Sequence, residues 1–87
     1  MDEIIDAIIQ NTDPEDPWRM SKKLQQEIAK GVDPRDLIRG VCRRIPMVSE
    51  KIDKRKCYQA QRKTIEELRN LDKLLLLLEN EVIPVAL

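Results

Sequence analysis

A chain of 87 residues with 16 Lys+Arg against 16 Asp+Glu has a formal net charge of zero; 37% of it is charged and only 2% is aromatic. A chain this short buries about 60–65% of its unfolded surface, which fits one domain over residues 1–87 and leaves a lone subunit marginally stable. Histidine is absent, Cys42 and Cys57 form no Cys-x-x-Cys pair, and no glycine-rich phosphate loop occurs, so enzymatic, metal-binding and cofactor-dependent classes have no footing.

The neutral total hides a segregation of charge. Residues 1–18 sum to −6, residues 19–42 to +3, residues 43–63 to +6 and residues 64–87 to −3. Such a chain satisfies its charges between its own segments or offers a basic band to an anion.

The first predicted helix covers residues 2–10, where Ile4, Ile5, Ile8 and Ile9 share one face and acids occupy the first turn. An isolated helix of that length is unstable in water, so the isoleucine face has to dock. Asn11, Thr12, Asp13 and Pro14 end it. The second helix is expected over residues 17–30, with Asp16 as cap and Pro17 at its first position; Trp18, Met20, Leu24, Ile28 and Ala29 form its apolar stripe, and Gly31 suits a left-handed residue past its end. Asp33 and Pro34 repeat the start signal for a third helix over residues 34–45. It carries Leu37, Ile38, Val41, Cys42 and Ile45, with Gly40 beside that face, where a crossing helix would explain a residue costing up to about 1 kcal/mol against alanine.

Pro46 is expected to break that pattern. From Met47 to Ile83 no glycine or proline intervenes, and steps of three and four connect Cys57, Ala60, Thr64, Leu68, Leu71, Leu75, Leu78 and Val82 within about 80° of arc. This predicts one helix over residues 47–83, roughly 55 Å long. The leucines at 74–78 sweep its whole circumference, more than three short helices cover. The run is far short of the ~20 apolar residues that span a bilayer, so no membrane partner is expected. The expected fold is all-α, three short helices packed against one long C-terminal helix, with a coiled-coil-like dimer seam.

Three features bear on function. Leu68, Leu71, Leu75, Leu78 and Val82 are the candidate self-association residues. The basic segment 43–63 offers Arg43, Arg44, Lys51, Lys54, Arg55, Lys56, Arg62 and Lys63 as candidate phosphate contacts, with Tyr58 able to stack on an unpaired base; Lys51, Arg55, Tyr58, Arg62 and Arg69 form one helical stripe in this reading. The competing reading is a solvated helix surface neutralised by the acidic N-terminus. Trp18 is a candidate partner anchor, although a core position is expected of it.

A helix-turn-helix from Leu24 to Val41 is disfavoured, because Glu27 stands where a small residue belongs and Asp33, Pro34 and Asp36 open the would-be recognition helix. Both cysteines are expected to be buried thiols, and the acidic start is unlike a secretion signal, so an intracellular, cytoplasmic chain is expected. The function expected is non-enzymatic: a helical interaction or regulatory protein that associates with itself and with another protein, takes no small-molecule substrate, and has nucleic-acid binding through 43–63 as the alternative.

Overall fold

The isoleucine face docks as its length requires. A computed structural model describes residues 1–13 and 15–82, with the backbone alone for Glu81 and Val82. Helix α1 spans Asp2–Ile9, with Asp2 and Glu3 in its first turn, where carboxylates favour the positive end of the helix dipole. Ile5 and Ile8 have no exposed surface. At its other end the Asn70 side-chain amide donates to the Ile9 carbonyl at 3.3 Å, satisfying one of the acceptors a helix terminus leaves open.

Two aspartates shape the connection to the second helix. Asp13 Oδ1 accepts from the Glu15 amide at 2.9 Å and Asp16 Oδ1 from the Trp18 amide at 3.2 Å, so Asp16 closes a local turn. Helix α2 therefore begins at Arg19 rather than Pro17 and spans Arg19–Ala29. Its end matches expectation: Gly31 has φ +105, its amide donates to Ile28 O at 3.0 Å and that of Val32 to Glu27 O at 3.2 Å. This paired closure needs a left-handed residue at Gly31.

Helix α3 spans Pro34–Glu50, with the Asp33 side chain accepting from the Arg35 amide and proline in its first turn. It does not stop at Ile45 as expected but runs through Pro46. Interior proline costs ~3 kcal/mol or more. Here the ring faces solvent, while Val48 beyond it is 3% exposed and Ile45 packs on the core. Burying such a side chain contributes about 1.5–3 kcal/mol, so carrying the apolar face past the proline offsets much of its cost.

The expected 47–83 rod is not formed. The chain leaves helix at Lys51, makes a 3-10 turn at Tyr58–Gln61, and resumes as α4, Arg62–Leu77, followed by a π turn at Leu78–Val82. Folding back lets α4 pack on α3 and α1. Leu71, Leu74 and Leu78 thereby become fully buried, which at about 1.5–3 kcal/mol each outweighs a few helical hydrogen bonds worth about 1 kcal/mol net. The rest of the core is Ile5, Ile8, Ile9, Met20, Leu24, Leu37, Val41 and Val48, with no aromatic residue.

Among the described residues the protein is an all-α bundle of four helices packed against one another, without strands. Gly40 sits where α1 meets α3: a Cβ there would lie 2.6 Å from Ile5 Cδ1. No described helix is long and apolar enough to cross a membrane.

Candidate functional site

The connection that replaces the middle of the expected rod is where the basic band now lies. Its backbone is tied by one side chain. Gln61 Oε1 accepts from the Asp53 amide at 2.9 Å, and Gln61 Nε2 donates to the carbonyls of Asp53 at 2.8 Å and Lys56 at 3.4 Å. The Asp53 carboxylate accepts from the Arg55 amide at 2.9 Å, so the one acid within 51–63 is turned onto backbone. Lys54, Arg55 and Lys56 on this tied segment are exposed.

Lys51, Arg62 and Lys63 are exposed as well, and Tyr58 stands among them at 47% exposure. Arg62 Nε donates to Glu66 at 2.9 Å. That hydrogen bond and the Glu66 charge raise the guanidinium above its ordinary pKa, helped by the Tyr58 phenol, which is within electrostatic reach. Among the described residues Lys51, Lys54, Arg55, Lys56 and Lys63 make no ion pair.

The expected internal counter-charge reaches the basic segment at Arg44 and otherwise goes to cations outside it. Asp13 pairs with Arg19 at 3.5 Å, Asp16 with Lys22 at 3.3 Å, and Asp6 with Arg44 at 2.6 Å. Arg44 also reaches Glu67 at 3.0 Å and the Asp2 carbonyl at 3.5 Å, tying α1, α3 and α4 together. Burial alone would lower its pKa; the hydrogen bonds and charges of Asp6 and Glu67 outweigh that and raise it. Arg44 therefore clamps α1, α3 and α4 together, with most of its side chain withdrawn from solvent. Arg43 beside it is exposed and borders, with Met47 and Lys51, an open groove of about 300 Å³.

The structure thus places Lys51, Lys54, Arg55, Lys56 and Tyr58 on the connection and Arg62 and Lys63 in the first turn of α4, not as one helical stripe, since Lys51 follows α3, Arg55 is in loop and Arg69 lies along α4. A larger open groove of about 470 Å³ between α1 and α4 is bordered by Lys63 but walled by Asp6, Glu66 and Glu67, a poor receptor for an anion.

The other candidates are redistributed. Leu71 and Leu78 are fully buried in the chain's own core and Leu68 and Leu75 are partly buried against it; the Val82 side chain, Ile83 and the tail 84–87 lie outside the described residues. Within the leucine run only Leu76, at 58%, is largely exposed. Trp18 is 63% exposed rather than in the core, because Asp16 holds its amide in the turn before α2 begins. Both cysteines are exposed, against expectation: Cys42 lies on the outer side of α3 and Cys57 precedes the 3-10 turn.

Helices α2 and α3 do not form a helix-turn-helix pair, since α2 packs mainly on α1 and α3 on α4. Glu27 is 8% exposed and held by Lys23 at 3.2 Å and Lys30 at 3.3 Å. The Lys23 hydrogen bond lowers its pKa, desolvation opposes this, and Lys30 adds to the lowering.

Sequence reasoning missed the Gln61 tie and the Arg44 clamp. Nothing in local spacing marks either, because their partners are tertiary. Among the described residues no cluster of three or more His, Cys, Asp or Glu gathers to hold a metal ion. In comparisons with known proteins, no family model, no curated protein and no solved structure matches this chain.

Proposed function

We propose that this protein is a non-enzymatic interaction module that binds a polyanionic partner through the 51–63 connection. The observation that supports the reading is a net +5 segment whose Lys and Arg side chains are exposed and whose backbone Gln61 ties, while the acids of residues 1–18 that form ion pairs do so with Arg19, Lys22 and Arg44. Cations that make no ion pair among the described residues have none of those pairs to break on binding, and they attract an anion over about a Debye length.

The experiment is a titration at low ionic strength against a polyanion series of oligonucleotide, heparin and poly-glutamate, repeated with Lys54→Glu, Arg55→Glu and Lys56→Glu combined. These residues are exposed and outside the core, so the helical circular dichroism should be unchanged. Binding by the native chain that weakens with salt and disappears in the variant is expected. A native chain that binds none of the series overturns the proposal.

A second reading, self-association through the C-terminal helix, retains one observation in its favour, the exposure of Leu76. It predicts a dimer at micromolar concentration that Leu76→Lys converts to monomer. A native chain that sediments as a monomer removes it.

A further inference from the structure

We infer that the polyanion taken by the 51–63 connection is single-stranded nucleic acid, with Tyr58 stacking on an unpaired base; this rests on the reading above and names its ligand. Each observation narrows the choice of polyanion. Tyr58 is one of the two aromatic residues of the chain, and at 47% exposure it contributes no side chain to the core. Aromatic surface left in water forgoes the burial that usually places such a ring inside, and a flat ring among cations is the arrangement that holds successive bases of a single strand.

Placement of charge around the ring agrees. Lys54, Arg55 and Lys56 precede it on the loop that Gln61 closes, while Arg62 and Lys63 follow it. Cations therefore flank Tyr58 on both sides along the chain, and each is exposed to the phosphates of a strand that stacks on the ring. The alternatives use less of this surface. An acidic peptide would engage the cations but offers no base to the ring. A duplex keeps its bases stacked on one another, and the connection presents a loop with a 3-10 turn rather than the helix or ribbon that enters a major groove.

The connection is also set before binding. The Gln61 side chain accepts one hydrogen bond and donates two, and the Asp53 carboxylate accepts one, tying the backbone at 53, 55 and 56 to Gln61 and Asp53, so less loop entropy is lost when the strand arrives.

The test uses the full chain and the anisotropy of fluorescein-labelled oligothymidylate, with an abasic strand of the same length, a duplex and poly-glutamate as competitors. The five cations that make no ion pair among the described residues predict that log Kd rises with log salt at a slope of about 3–4 on single strands. The base-bearing strand should bind about tenfold more tightly than the abasic one, as expected for one stacked base. Tyr58→Ala should abolish that difference, Tyr58→Phe should preserve it, and neither should change helicity. Equal affinity for the two strands, indifference to Tyr58→Ala, or preference for the duplex overturns the inference while leaving polyanion binding standing. Failure to bind any of the four, and heparin as well, overturns both.

Discussion

Replacing Gly40 by alanine places two opposed effects at one position. Glycine inside a helix costs about 1 kcal/mol relative to alanine, so an exposed glycine at mid-helix would be improved by the change. In α3 the new Cβ would meet Ile5 Cδ1 at 2.6 Å, well inside normal contact, and Ile5 is fully buried where α1 packs. Displacing a core methyl costs about 1–3 kcal/mol. The net expectation is a loss of about 1 kcal/mol, measured as a lower urea midpoint at unchanged m-value.

A second variant isolates the cause. Ile5→Val removes the Cδ1 that the added methyl would strike and by itself costs about 0.5–1.5 kcal/mol. In that background Gly40→Ala should change sign and become stabilising, because the helix propensity is gained without the collision. The coupling between the two substitutions should be about 1 kcal/mol or more. If Gly40→Ala stabilises the native chain by the full propensity gain and does not couple to Ile5, α1 does not cross α3 at this point.

Leu74→Ala should destabilise by about 2–5 kcal/mol and Leu76→Ala by less than about 0.5 kcal/mol, since the former side chain is fully buried and the latter 58% exposed; equal losses in thermal melts would contradict the assigned orientation of α4. Glu27 has a lowered pKa in the fold, so its stabilising contribution is present above the ordinary glutamate range and is lost as pH falls through the lowered folded value. Glu27→Gln should therefore be less stable than the native chain at neutral pH, with the gap closing in acid; a gap that widens in acid would show that the lysine pairs do not hold the charge. Both thiols should react with Ellman's reagent in native buffer at near-model-thiol rates, since both are exposed; protection of either until denaturant is added would return it to the interior.

The helical class and much of the local punctuation were legible. Asp33 with Pro34 opens α3 and Gly31 closes α2 because those signals act within a few residues. The isoleucine face of α1 and the close approach at Gly40 also follow from spacing. Pro46 misled because its local cost is real, although the steps from Val41 to Ile45, Val48 and Ile52 carry the apolar period past it.

The break of the 47–83 helix was harder to read. Absence of glycine and proline permits a continuous helix, and the weakness lies in what fills the seam before Leu68: Cys57, Ala60 and Thr64 bury too little to hold a rod against the gain from folding back. Leucines at 71, 74 and 78 then find cover within the chain, and the outward-facing cations follow from the same reversal. Arg43 and Arg44 look alike in sequence. One is exposed and the other bridges Asp6 and Glu67, a difference set by helices that meet only in three dimensions.

Reversal of the chain between α3 and α4 underlies both the covered leucines and the displayed cations. Spin labels at Met47→Cys and Glu67→Cys, in a Cys42→Ser and Cys57→Ser background, measure it directly by pulsed electron resonance. These positions border one groove, and packed helices lie about 8–10 Å apart, so a distance distribution centred near or below about 20 Å is predicted with the label arms included. A narrow distribution near or above about 30 Å, the rise of a continuous helix over that interval, would contradict it.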